Sequence, residues 1–135
     1  MRVVIQRVSK ASVSIDGKLK SAIKHGLFIL LGVEELDTSD DIDWLTKKIV
    51  QLRVFSDNKG LMNRSVLDVK GEILVVSQFT LLAKTKKGNR PSYIKAAKPS
   101  QAITLYEEFV KKIEKEIAKP VQTGEFGVNM QVNLY

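Results

Sequence analysis

The chain opens on a period of two. Val3, Ile5 and Arg7 alternate with Val4, Gln6 and Val8, and Ala11, Val13 and Ile15 then alternate with Ser12 and Ser14. That is the pattern of strands with two unlike faces. Asp16-Gly17 follows, a pair that tolerates the positive φ needed at both central positions of a type I′ turn. Lys18 to Ile23 is therefore predicted to return as a partner strand. After His25-Gly26 the run Leu27-Phe28-Ile29-Leu30-Leu31 is apolar at every position, which predicts a central strand covered on both faces.

The period then lengthens. Thr38 or Ser39 can cap a helix whose first turns carry Asp40, Asp41 and Asp43, acids that complement the positive end of a helix dipole. Ile42, Leu45, Ile49 and Leu52 follow at helical spacing, with Lys47 and Lys48 late in the segment. Arg53 to Ser56 reads as a short strand ended by Asp57-Asn58-Lys59-Gly60, and Ile73 to Ser77 as a buried strand entered after Gly71. A second helix is predicted from Pro99-Ser100 to about Lys119, with Ile103, Tyr106, Phe109, Ile113 and Ile117 on one face and Pro120 ending it. In the tail Met130, Val132 and Leu134 alternate with Asn129, Gln131 and Asn133. No repeat or linker divides the chain. The expectation is an α/β protein: one compact domain over residues 1–135, with a strand-rich mixed or antiparallel sheet curled barrel-like and two amphipathic helices packed on it.

Composition narrows the chemistry. A length of 135 residues suits one domain, and 44% hydrophobic with 27% charged residues excludes wholly disordered and low-complexity classes. The chain has no cysteine, which excludes a disulfide framework, a thiolate nucleophile and sulfur-ligated zinc or iron. His25 is the single histidine, so no His-rich metal site is built within one chain. The run from Leu27 to Val33 is far too short to span a bilayer, and Arg7 interrupts the N-terminus where a signal peptide would be apolar. The expected location is cytoplasmic, with no membrane partner.

The formal charge is +7, and its distribution says more than its sum. No Asp or Glu occurs from Ile73 to Tyr106, while Lys84, Lys86, Lys87, Arg90, Lys95 and Lys98 all fall there. Glu34 to Asp43 is the converse, six acids without a base. Basic residues clustered round Gly88-Asn89-Arg90-Pro91 point to a phosphate-binding surface.

A side-chain general base is hard to find. His25 beside Gly26 reads as a loop histidine, with no G-x-S-x-G nucleophile elbow to serve. The acids concentrate on an exposed helix start, and Lys86-Lys87-Gly88-Asn89 lacks the spacing of a phosphate loop. The informative segment is Ser77-Gln78-Phe79-Thr80-Leu81, polar residues at the end of a buried strand. Polar groups there require hydrogen bonds, and a strand end opening into a loop offers backbone N–H groups for an oxyanion. Satisfying the local backbone would account for Ser77 and Thr80 equally well.

Four blocks resemble the D-aminoacyl-tRNA deacylases in order and spacing. They are Met1 to Val8 with Ala11-Ser12-Val13, Gly71 to Leu81, Lys87-Gly88-Asn89-Arg90-Pro91-Ser92, and Thr123-Gly124-Glu125-Phe126-Gly127 with Met130 and Val132. The resemblance spans nearly the whole chain. It implies a homodimer, with active sites at or near the subunit interface, that hydrolyses the ester joining a D-amino acid or glycine to the 3′ end of tRNA. It also implies that no metal or organic cofactor is used. Ser77, Gln78, Phe79 and Thr80 would form the catalytic pocket floor, with main-chain groups on the reacting carbonyl and the terminal 2′-hydroxyl helping to activate water. Phe126 and Met130 would wall the aminoacyl end, and Arg7 would brace the loop that checks chirality. Lys84, Lys86, Lys87 and Arg90 are our own assignment for acceptor-stem phosphates. Thr80 is not expected to be a covalent nucleophile, because no base is evident to activate it.

The resembled family continues beyond the strand that ends here at Leu134-Tyr135, into an Asn-x-Gly-Pro segment that screens out L-amino acids. The expectation is that this segment belongs to the natural protein and lies beyond Tyr135. Two other classes stay open on the residues alone. One is a non-catalytic RNA-binding module using the Lys84–Lys98 surface; the other is a hydrolase of some different small ester.

Overall fold

The computed structural model describes residues 1–135. Strand β1 (Arg2–Val8) pairs antiparallel with β4 (Gly26–Gly32), β4 pairs parallel with β7 (Glu72–Ser77), and β7 pairs parallel with β8 (Gln122–Thr123). These make a mixed four-stranded sheet in the order β1-β4-β7-β8. A second sheet, β3-β2-β9, joins β2 (Ala11–Ile15), β3 (Lys18–Ile23) and β9 (Gln131–Leu134), all antiparallel. Asp16 and Gly17 link β2 to β3 with φ of 50° and 75°, the positive pair the turn chemistry demands.

The uniformly apolar β4 is explained by two cores. Leu27, Ile29 and Leu31 point with Ile73 and Val75 of β7 into one cluster, which holds the helices α1 (Ser39–Gln51) and α2 (Pro99–Ile117) through Ile42, Ile49, Phe109 and Ile113. Phe28, Leu74 and Val76, the alternate positions, join Val8, Ala11, Val13 and Ile23 in a second cluster between the sheets. Helices thus cover one face of the four-stranded sheet and the three-stranded sheet covers part of the other. No unbroken ladder closes the curl expected from the sequence; Ser21 Oγ, donating to the Thr123 carbonyl at 2.8 Å, ties β3 to β8.

The Thr38 N–H donates to the Asp41 carboxylate at 2.8 Å, so α1 begins where the acids predicted. Three local expectations are corrected. The strand expected from Arg53 is confined to β5 (Phe55–Ser56), which pairs with an unforeseen β6 (Met62–Arg64). Helix α2 stops at Ile117, because Ala118 turns left-handed at φ 54°, short of Lys119. Ile103 is 36% exposed, since the buried stripe of α2 begins with Ala102, Leu105 and Tyr106.

Candidate active site

The site begins where β7 leaves the core. Ile73 to Val76 are buried, and Ser77 is the first residue to emerge. The Gln78 N–H donates to the Leu31 carbonyl at 2.8 Å, one last rung with β4. The Gln78 carbonyl then accepts from the Leu81 N–H at 3.2 Å, and the chain folds into a single 3₁₀ turn, Phe79–Leu82. Gly32 permits this close return: a Cβ there would lie 3.2 Å from both the Gln78 carbonyl oxygen and Leu81 Cβ. Phe79 and Thr80 start the turn, so their N–H groups have no acceptor within it.

The second sheet covers only one end of the four-stranded sheet. Val8 and Phe28 lie under it, whereas Val4, opposite Leu30, is exposed. Between the end of β7 and the approach to β9 lies a cavity of about 370 Å³. Leu30, Val76, Ser77, Gln78 and Phe79 line one side, and Phe126, Asn129, Met130 and Val132 the other. Its walls carry no ionisable side chain, and nowhere do three His, Asp or Glu side chains converge in a metal-holding arrangement.

Five expected site residues therefore meet: Ser77, Gln78, Phe79, Phe126 and Met130. Thr80 lies just beyond the wall and accepts a hydrogen bond from the Gln78 side-chain amide. Phe79 is 54% exposed and stands edge to face with Tyr93, a residue the sequence alone does not single out. Behind the other wall, Phe126 contacts Tyr106 with ring centroids 6.3 Å apart. The Tyr106 hydroxyl donates to the Val75 carbonyl at 2.7 Å, and burial pushes its pKa well above the usual phenol value.

Arg7 is not brought to the cavity within one chain. It pairs with Leu27, at the far end of β4 from Leu31 and Ser77, and its guanidinium donates to the Val54 carbonyl at 2.6 Å. The strand alternation sends it to the helix side of the sheet, away from Leu30 and Val76. His25 is equally remote, resting edge to face on Phe55 with ring centroids 5.0 Å apart.

The basic residues occupy an excursion closed at its base. Lys84 N–H donates to the Ser92 carbonyl at 2.8 Å and Ser92 N–H returns to Lys84 at 2.9 Å. Lys84, Lys86, Lys87 and Arg90 are all exposed, and none belongs to an ion pair. Leu30, Val132 and Tyr93 were missed for different reasons. Leu30 is one apolar residue in an apolar run, Val132 alternates like any edge-strand residue, and Tyr93 gains meaning only once the excursion folds back.

The D-Tyr-tRNA(Tyr) deacylase family model matches residues 4–135. A D-aminoacyl-tRNA deacylase of Bacteroides fragilis is 63% identical over 134 residues, covering 99% of this chain and 89% of the relative. One of Flavobacterium johnsoniae is 61% identical with the same coverage. The solved structure of a c-Myc DNA unwinding element binding protein superposes with a TM-score of 0.94 at 40% identity, covering 99% of this chain and 91% of that one. That of a probable eukaryotic D-amino acid tRNA deacylase superposes with a TM-score of 0.84 at 14% identity over 98% of this chain and 92% of its own, a likeness of fold. With the Ser77–Leu81 turn set against the Phe126–Met130 wall, and a match running from Val4 to the last residue, the chain belongs to the D-Tyr-tRNA(Tyr) deacylase family.

Proposed function

We propose that the protein hydrolyses the ester of D-aminoacyl-tRNA, and of glycyl-tRNA, releasing the free amino acid and intact tRNA. One observation carries the mechanism: the cavity has polar atoms and apolar walls but no ionisable side chain. Catalysis must then come from placement and fixed dipoles, which can supply most of the rate of an acyl transfer. The ester carbonyl is set against the N–H groups of Phe79 and Thr80, whose dipoles favour the oxygen as it gains charge. Water adds to the carbonyl carbon, the bond to the 3′ oxygen breaks, and that oxygen leaves with a proton. The neighbouring 2′-hydroxyl orients the water, replacing the base the protein lacks. Phe126 and Met130 wall the acyl end, while Gln78, held by Thr80, keeps the turn in shape.

Lys84, Lys86, Lys87 and Arg90 receive acceptor-stem phosphates; four exposed cations without acidic partners support that role. The protein acts as a homodimer in the cytoplasm. Exposed apolar side chains at the cavity, Phe79 on one wall and Val132 on the other, support a subunit boundary there. Arg7, tied to Val54, serves the chirality check only across such a boundary. No helix is long and apolar enough to cross a membrane.

A second reading, a non-catalytic nucleic-acid-binding module, is favoured by the same unpaired cations and by the name of the 40% identical relative. Product decides between them. The deacylase releases amino acid from D-tyrosyl-tRNA and leaves D-tyrosine methyl ester untouched. Binding without release supports the module, and cleavage of the methyl ester supports a hydrolase of small esters.

A further inference from the structure

We infer that Gly124 sets the usable size of the cavity by giving the Met130 side chain a place outside it. This rests on the reading that the cavity receives the aminoacyl end of tRNA. Gly124 follows β8, and its N–H meets the Val75 carbonyl at 3.4 Å, so its backbone lies close against β7. A Cβ built on Gly124 would overlap Met130 Sδ and would lie 3.5 Å from both Met130 Cε and Val76 Cγ2. The thioether therefore occupies the volume that any other residue at position 124 would fill. The φ of Gly124 lies outside the left-handed region, unlike those of Gly17, Gly60, Gly88 and Gly127. Space, and not backbone conformation, is what glycine provides here.

A flexible side chain displaced at its far end moves rather than unfolding its neighbours. Val76 and the Gly124 backbone flank the thioether, Met130 packs on the core cluster that includes Val76, and Val76 and Met130 both line the cavity, which is open space on that wall. An added methyl at position 124 sends the thioether into that cavity. Gly124 touches no reacting atom; it is a positioning residue that works through Met130.

Gly124→Ala, Met130→Ala and the double variant are compared with the unaltered protein for deacylation of D-tyrosyl-tRNA. Gly124→Ala is expected to lower kcat/KM about tenfold, the scale of one misplaced methylene in an apolar pocket, chiefly through KM. In the Met130→Ala background the same substitution is expected to cost less than about twofold, because no thioether remains to displace. An unchanged KM in Gly124→Ala overturns the inference, and so does an equal loss in both backgrounds. A methyl-labelled Met130 gives a readout independent of turnover: its resonance shifts in Gly124→Ala, and an unshifted resonance overturns the inference whatever the activity. If the unaltered protein releases nothing while the Met130 resonance shifts, the deacylase reading fails and the seating of Met130 stands.

Discussion

The ring of Tyr93 meets the ring of Phe79 edge to face, with centroids 5.0 Å apart and planes inclined at 73°. Tyr93 follows directly on Ser92, which closes the basic excursion with Lys84. The pair therefore joins the surface assigned to tRNA phosphates to the wall assigned to the ester. Such a pair contributes about 1 kcal/mol beyond the area it buries. Tyr93→Leu is expected to lower kcat/KM about fivefold by freeing Phe79, whereas Tyr93→Phe retains the ring packing and near-normal turnover. Steady-state deacylation checks both, and equal losses in the two would show that the hydroxyl, not the ring, matters.

Thr80 accepts a hydrogen bond from the Gln78 amide, and the proposed mechanism gives it no nucleophilic step. Thr80→Ser keeps an acceptor and is expected to stay within about twofold of normal, while Thr80→Val loses about 1 kcal/mol of one hydrogen bond, roughly fivefold in rate. Mass spectrometry of Thr80→Ser during turnover is expected to find no acyl-enzyme. A trapped ester on residue 80 would end the non-covalent mechanism.

Replacing Lys86 and Lys87 by Ala is expected to act on binding alone. KM for D-tyrosyl-tRNA is expected to rise with kcat unchanged, and the salt dependence of log affinity is expected to flatten by about 0.7–0.9 for each phosphate left without its lysine. A titration of KM against salt reads both. A fall in kcat at saturating tRNA would place these lysines nearer the chemistry than their exposed positions allow.

Asp43 and Lys112 pin the two helices together at 2.8 Å. The hydrogen bond from Lys112 holds the Asp43 carboxyl below its ordinary value of 3.8, and the same bond raises Lys112 above 10.5. The carboxylate's share of stability is thus present above pH 3.8 and lost as pH falls through the lowered value. The ammonium's share is present below pH 10.5 and lost as pH rises through the raised one. Asp43→Asn is expected to melt slightly below the unaltered protein at pH 7, with the gap closing under strong acid. A gap that stays constant as the Asp43 carboxyl is titrated in acid would assign the effect to packing instead.

What the sequence disclosed depended on whether the signal was local. The Asp16-Gly17 turn, the acids opening α1 and the apolar β4 are local statements, and each appears in place. The two-residue β8 and the three-residue β6 exist only through pairing with distant partners, so no periodicity could announce them. In the site, polar residues ending an apolar strand draw attention to the Ser77–Thr80 segment, but satisfying the local backbone explains them equally well without the resemblance. The segment's opposition to Phe126 and Met130 rested on resemblance, and the cavity between them is lined from both sheets, by Leu30 and Val76 of one and Val132 of the other. Arg7 lies on the helix side of the sheet, as its alternation with Val3 and Ile5 requires, so the part proposed for it at the site has to be played across a subunit boundary.

The most direct test of the central claim is single-turnover deacylation of matched D- and L-tyrosyl-tRNA, with tRNA binding followed in parallel. Release of D-tyrosine is expected, faster than that of L-tyrosine, with the tRNA left intact and with the release greatly slowed in Phe79→Ala. Tight binding of both tRNAs with no release of either amino acid would contradict the deacylase mechanism.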